Sequence, residues 1–421
     1  MWMAGAAFCA IVVGASCSRN VYDVEEAQKI YDYSNPVDTI EKNHNWMLMA
    51  SKVLMVTPPA DGSAKRIVVL TDNPREKGGA EIVGEAFVSS DSQTMVNITY
   101  PSTVSSLYAA AVDAENNYTI AKFDVTGSSV VNFTNAIVTG EPIAYTPQPK
   151  MFTYCFEEEF PLAGDFDYND VVLRVSQERT GEKEVRYHVQ LAAVGGTKQI
   201  AAAIRLVGTN YNSIESVKTV DDKSFNVTNT GEAFPEQMMI VQNETAPLLQ
   251  AMNNDAVLNL FVDAHWATGD AMSTDYGLMQ RKKYNVTKGT DANNQMMVPR
   301  EITYIVTFKD AATADELSLG LIDPFIYAEF NGAKFETHTY TYRSVQVLYS
   351  YPPSDLKALP WALAIPYGDF RWPLDGSTIG FFIKGSNFGA YKESGHSFGE
   401  WSMDHTKALD WYQYPTDNQV Y

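Results

Sequence analysis

The chain has 421 residues, 45% of them hydrophobic and 12% aromatic, which is ample for two or three domains with proper cores and excludes a disordered protein. Its formal net charge of −20 and pI near 4.7 argue against nucleic acid and against direct docking on anionic lipid, since both need basic surfaces.

Residues 2–16 are uncharged and mostly small or apolar, a run too short to span a bilayer, and they lead into Gly14, Ala15, Ser16 and Cys17. This reads as a secretory signal over 1–17. A cysteine in that context resembles a bacterial lipoprotein cleavage site, with Cys17 lipidated and the membrane as a partner through that anchor; the rival is an ordinary cleaved signal with an incidental cysteine. Cys9 lies inside the signal, so Cys155 is left alone in the mature chain and no disulfide framework is available. Its neighbours, FTYCF, alternate like a half-buried strand, which makes it a small core hydrophobe rather than a nucleophile.

Residues 18–40 form a leader, with helical character over 23–33. From Trp46 onward the pattern changes to strands separated by turn residues roughly every ten positions, the spacing of an all-β sandwich, and a first β-sandwich is expected over 41–140. Within it, AVDAENNYTIAKF signals a hairpin turning at Glu115, Asn116 and Asn117. The Pro-rich, aperiodic stretch 141–150 reads as a linker. The remainder, 151–421, continues as β, with a hairpin around Thr180 to Glu182. The expected fold class is therefore all-β, two jelly-roll-like sandwiches in tandem, the second larger and ending in a loop-rich aromatic segment with helical hints at FGEWSMD.

The second unit opens with CFEEEFPLAGDFDYNDVVLRV, which sets side-chain oxygens of Asp165, Asp167, Asn169 and Asp170 just before a strand. Ca²⁺ takes about six to eight oxygen ligands, so such a turn suits it better than Mg²⁺, which keeps more of its own water. An EF-hand is excluded, because Asp170 stands where that loop needs Gly and Ser176 where it needs a bidentate Glu. Glu157 or Glu158 is expected to reach in from the preceding strand. The alternative is a solvated acidic turn held by local hydrogen bonds.

FEEEFPLAGDFDYNDVVLRV, FVDAHWATGD, LGLIDPFIYAEFNGAKFETH and the terminal IPYGDFRWPLDG with DWYQYP together resemble the LruC-domain family of outer-membrane lipoproteins of Bacteroidetes-type bacteria, over roughly residues 150–421. The segment before it looks like the β-domain that often precedes that family. The resemblance implies a β-protein of the cell envelope with a Ca²⁺ site and no established enzymatic activity. It places the ligands at Asp165, Asp167, Asn169 and Asp170, with Glu157, although the family's usual Phe-Glu-Asp is Phe156-Glu157-Glu158 here.

Other constellations compete for attention. Asp263, His265 and Asp270 combine carboxylates with a histidine, but a strand end with a packed His265 is the simpler reading. Asp404 and His405 near His396 read as scattered surface residues. Asp369, Phe370, Arg371 and Trp372 set an aromatic beside a cation, which suits sugar stacking, whereas aromatics in such a terminus more often pin it to a sheet. No nucleophile elbow, zinc signature or triad motif is legible. Three functional expectations result: a non-enzymatic, adhesion-type binding protein stabilised by Ca²⁺, with an unknown protein or glycan ligand; a carbohydrate-binding lipoprotein using Trp372, Trp401 or Trp411; and a hydrolase with two carboxylates facing each other in a cleft of the second unit.

Overall fold

The computed structural model describes residues 40–42, 44–76, 79–88, 93–159, 165–220, 249–268, 281–291, 293–330, 333–339, 360–379, 388 and 394–421. Cys17, the signal and the helix expected over 23–33 lie outside the described residues. Within them the architecture is nearly all-β, as the short β-branched runs and closely spaced turns require.

The first half comprises β1 (Met49–Thr57), β2 (Arg66–Leu70), β3 (Glu81–Phe87), β4 (Thr94–Pro101), β5 (Ser106–Val112), β6 (Asn117–Asp124), β7 (Val130–Asn132), β8 (Val138–Pro142) and β9 (Gln148–Pro149). They make a three-stranded sheet, β4-β1-β7, and a six-stranded one, β8-β6-β5-β2-β3-β9. Alternation along β1 turns Leu54 and Val56 inward, where they share one buried core with Ile67, Val69, Val96, Ile98 and Ala109 from both sheets. The expected hairpin is β5–β6. Its turn is fixed by Asp113 Oδ1, which accepts from the Glu115 and Asn117 amides at 2.9 Å each, with Asn116 at φ 59°. Residues 141–150 do not hang free as a linker: β8 pairs with β6, and β9 pairs with β3 immediately before the next strand.

The second half comprises β10 (Met151–Phe156), β11 (Val171–Gly181), β12 (Glu184–Ala193), β13 (Ile200–Asn210), β14 (Ile214–Thr219), β15 (Leu249–Met252), β16 (Asp255–Phe261), α1 (Ala264–Ala267), β17 (Lys283–Tyr284), β18 (Asn294–Gln295), β19 (Arg300–Phe308), α2 (Ala311–Asp315), β20 (Ile322–Phe330), β21 (Ala333–His338), β22 (Ala362–Ile365) and α3 (Phe398–Met403). A six-stranded sheet, β14-β19-β12-β11-β10-β22, lies over a five-stranded one, β15-β16-β13-β20-β21. Along β12, Val185, Tyr187, Val189 and Leu191 point into the core between them, while Glu184, Arg186, His188 and Gln190 point out. β13 reads as a continuous apolar run because both of its faces are covered, Ile200, Ala202 and Ile204 on one side and Ala201 and Ala203 on the other.

The aromatic C-terminal segment covers part of the outer face of the six-stranded sheet. Trp361, Phe370, Phe388, Phe398, Trp401 and Trp411 are fully buried against Cys155, Val172, Ala192 and Ala193. Cys155 is thus a core residue, and burial pushes its thiol pKa far up. Helix α3 forms where FGEWSMD hinted at one, started by a capping box between Ser397 and Glu400. Sugar stacking by the three named tryptophans is overturned, because Trp372 is 3% exposed and Trp401 and Trp411 are 0% exposed.

The halves meet across apolar and polar contacts: Trp46 and Leu48 enter the aromatic core of the second half, and Met49 of β1 enters the core between its two sheets. Thr99 Oγ1 accepts from the Gly320 amide at 2.8 Å, and a Cβ on Gly320 would lie 2.1 Å from Ser51 Oγ, so only glycine allows this approach. Nearby, the Arg179 amide donates to Glu85 Oε1 at 2.6 Å, and Arg179 Nη2 pairs with Asp315 at 3.0 Å.

Two stability effects are expected from this packing. Trp411→Ala, which removes a ring 5.0 Å from both Phe388 and Phe398, should lower unfolding free energy by about 3–5 kcal/mol in urea titration; a loss near zero would show that the C-terminal segment adds nothing to the core. Burial raises Glu85 to about 7, so the folded state holds its proton more tightly than the unfolded chain and stability falls as pH rises from about 4.5 to 7. Glu85→Gln should therefore match the parent near pH 5 and exceed it at pH 8, by up to about 3 kcal/mol, in paired denaturant titrations; equal stability at both pH values would refute a buried Glu85 that holds its proton.

Candidate metal centre

Strand β10 ends at Phe156, and pairing continues one residue further, the Glu157 amide donating to Trp361 O at 2.9 Å. This buries Glu157 at 0% exposure with its carboxylate facing the turn that leads into β11. In that turn Phe166 and Tyr168 adopt left-handed backbone at φ 52° and 54°, which is costly for bulky side chains. Their rings go into the aromatic core, Phe166 against Trp361 at 5.5 Å and Tyr168 Oη donating to Pro360 O at 2.7 Å. The intervening acids are turned the other way, so that oxygens of Glu157, Asp165 and Asp167 all lie within 4.8 Å of one another.

Each expected ligand has a distinct setting. Asp167 Oδ1 accepts from the Asn169 amide at 3.1 Å and Oδ2 from the Gly376 amide at 2.8 Å. Glu157 Oε1 accepts from the Tyr168 amide, whereas Oε2 is buried and has no hydrogen bond. Asn169 donates Nδ2 to Pro373 O at 3.1 Å; its Oδ1 is likewise buried and unbonded, set against Gly195, where a Cβ would approach it to 2.0 Å. Asp170 Oδ2 accepts from the Glu158 amide at 2.6 Å, which holds the acidic turn onto the end of β10. Glu158 itself faces away, accepting from the Thr197 amide at 2.8 Å and pairing with Lys198 at 3.3 Å. The geometry therefore gathers Glu157, Asp165 and Asp167 tightly, while Asp170 and Asn169 anchor the turn from either side.

Asp375 is a participant that sequence reasoning missed. It sits on the loop that carries Gly376, its amide bonded to Val286 O at 2.9 Å and its carboxylate to Lys283 Nζ at 2.7 Å. Nothing in the spacing of WPLDG relates it to an acidic turn so much earlier in the chain.

Electrostatics set this cluster apart from a solvated turn. Burial first, and then neighbouring carboxylates, hold Glu157, Asp167 and Asp170 well above the usual range. Asp165 is also raised, by burial and then by Asp375, with Lys283 opposing. Burial pulls the Lys283 ammonium down, but its hydrogen bond to Asp375 and the charges of Asp375, Asp170 and Asp167 outweigh that and raise it. The donors are all oxygen, the chemistry of a hard cation, and two buried oxygens stand without partners.

The competing constellations have structural partners. Asp263 Oδ1 accepts from the His265 amide and Oδ2 from Arg281 Nη1, each at 2.9 Å, and His265 Nε2 lies 3.1 Å from Gly196 O inside the core; Asp270 is outside the described residues. Asp404 and His405 are less scattered than expected, since His405 Nδ1 pairs with Glu41 at 2.7 Å and brings a second acid–histidine group together around α3. His396 instead pairs with Asp410 at 2.9 Å. Phe370 and Trp372 are buried, and Arg371 Nη1 pairs with Asp417 at 2.5 Å, which pins the terminus. A groove beside β9 is lined by Glu178 and Glu301, each already engaged, with His188 at 3.2 Å and Gln190 at 2.5 Å.

A crystal structure of a candidate lipoprotein from Bacteroides ovatus superposes with a TM-score of 0.51 at 15% identity, covering 85% of this chain and 99% of that one, a likeness of fold. The collagen binding domain of the Erysipelothrix rhusiopathiae surface protein RspB aligns at 8% identity over 70% of this chain and 82% of its own, but its TM-score of 0.16 is not a shared fold. No curated protein sequence matches the chain. The profile described as "Domain of unknown function (DUF4842)" matches residues 183–401, more than half of the 421 residues, and the chain belongs to that family.

Proposed function

We propose that the cluster is a structural Ca²⁺ site in a lipid-anchored protein of the bacterial cell envelope, one that works by binding a partner and not by catalysis. The observation that carries the ion is Glu157, a carboxylate at 0% exposure with one oxygen unbonded and two further carboxylates within 4.8 Å. Burying Glu157 and Asp167 together, with Asp165 beside them at the exposed rim, costs several kcal/mol per buried ion unless they are compensated, and a divalent cation is the compensation that leaves all of them ionised. Glu157, Asp165 and Asp167 would hold it, with Asp375 adding its charge and Asn169 positioning the turn. Its role would be to bind the acidic turn to the loop at Gly376, and through that loop to fasten the aromatic C-terminal segment. The lipid anchor is supported by the sequence around Cys17, by the LruC-domain resemblance and by the fold shared with the candidate lipoprotein of Bacteroides ovatus. The outer membrane is the expected site of attachment, with the protein facing either the periplasm or the outside.

A Ca²⁺ affinity in the range of extracellular modules, roughly 10⁻⁴ to 10⁻³ M, is expected. At a hundredfold excess over that constant, binding to the folded state alone stabilises by about 2.7 kcal/mol. Thermal unfolding of the mature protein in EDTA and across a Ca²⁺ titration should show the melting temperature rising, and Asp165→Asn combined with Asp167→Asn should abolish the rise. If neither protein responds to Ca²⁺, the cluster is a proton-holding turn and the proposal fails. For the anchor, Cys17→Ser should move the protein from the membrane fraction to the soluble fraction of the producing cell; persistence in the membrane would disprove lipidation as the attachment.

A further inference from the structure

We infer that the first half carries a second, independent binding site, a cleft for a neutral oligosaccharide at the end of β1. The cleft encloses about 730 Å³, within the range of small-ligand sites. Three connections build it: the segment after β1, the β5–β6 turn, and the stretch joining β7 to β8.

Its chemistry is selective. Among the described residues no lysine, arginine or histidine lines it, so nothing there would neutralise a phosphate, sulfate or uronate. What it offers is two carboxylates, Asp61 and Asp113, amide and hydroxyl groups such as Asn132 and Thr119, and apolar faces from Phe133 and Pro59. Both carboxylates are held in place by their own turns, Asp61 Oδ1 by the Ser63 amide at 3.0 Å and Asp113 by Asn117 Nδ2 at 2.8 Å. An ionised carboxylate has about four acceptor positions, so lone pairs remain for hydroxyl donors. Thr119 is fixed by the Gly140 amide, which donates to its hydroxyl at 3.2 Å. Rigid acceptors beside a half-buried aromatic ring match a sugar, which presents hydroxyls at its rim and C–H groups on its face.

The cleft also lies well apart from the contacts around α3. Glu41, whose amide donates to Ser402 O at 3.0 Å beside α3, precedes β1, and β1 ends with Thr57 at the cleft. Nine residues of strand put the cleft roughly 25–30 Å from the start of β1.

The test is affinity electrophoresis of the Ca²⁺-saturated mature protein through gels containing laminarin, mannan, xylan or dextran, followed by calorimetric titration with the glycan that retards it; oligolysine serves as a cationic-peptide control. At least one neutral glycan should bind, and Thr139→Arg, which places a cation at an exposed position of the lining, should weaken it at least tenfold with no change in melting temperature. Phe133→Ala should weaken it as well. The Asp165→Asn, Asp167→Asn protein, kept folded at low temperature, should retain glycan binding, which separates this site from the ion. No retardation by any of the four glycans, unchanged affinity in Thr139→Arg, or binding of oligolysine alone would overturn the inference.

Discussion

Mutual repulsion among carboxylates buried at the end of β10 is the constraint on which the second half of the molecule turns. Glu157 cannot leave the site, because its amide extends the strand pairing to Trp361 O at 2.9 Å. Asp167 cannot leave either, since one of its oxygens holds the Gly376 amide and the other the Asn169 amide. The charges are thus fixed by backbone geometry before any question of their neutralisation arises. Lys283 does part of that work at the rim, through Asp375, but it stands 25% exposed and does not reach the unbonded oxygen of Glu157. Protons or a cation must supply the rest.

The same turn joins chemistry to packing. In Asp165-Phe166-Asp167-Tyr168-Asn169 the acids and the aromatics alternate, and left-handed backbone at both aromatics keeps the two sets on opposite sides. Such backbone costs on the order of 1–3 kcal/mol at each residue. Complete burial of each ring returns a comparable amount, about 1.5–3 kcal/mol. The turn is therefore held in its conformation by the C-terminal aromatics, and the C-terminal segment is held by the turn. Asn285 strengthens the arrangement: its backbone oxygen accepts from Trp372 Nε1 at 2.7 Å and its Oδ1 from Tyr421 Oη at 2.9 Å, so the last residue is tied to the strand that bears Lys283.

Strands, both hairpins and helix α3 were legible because each is written locally, in period-two alternation, in Asp and Asn at turns, and in the Ser397–Glu400 capping pair. The acidic turn was legible for the same reason, as closely spaced oxygen side chains. What escaped was non-local. Asp375 enters the site only because β22 pairs with β10 and carries the loop after it back across the sheet. The tryptophans looked available for sugars because their segment lacks periodicity, and only the packing of Phe370, Phe388 and Phe398 into the same core reveals an interior. The stretch 141–150 looked like a linker because it is Pro-rich and lacks periodicity, although β9 needs only two residues to close the sheet edge against β3. Asp404 and His405 seemed unrelated to anything, since their partner Glu41 stands at the other end of the sequence.

The family match begins at residue 183, yet the structure shows that this region is not a complete folding unit. Strands β10 and β11, which precede the match, lie in the sheet between β12 and β22, which fall within it. Cutting at 183 would separate β12 from β22 by two missing strands, leave Val189 and Leu191 without the inward face of β11, and expose the backbone of both neighbours. Removing residues 402–421 would likewise take Trp411 out of the aromatic cluster. The acidic centre is divided along the same line, with Glu157, Asp165 and Asp167 before the matched region and Asp375 inside it. The packed unit that would bind an ion therefore takes in β10 and β11 as well as the matched region, together with Trp46, Leu48 and Met49, which are buried in its cores, and the chemistry of its centre is assembled only when both parts are present.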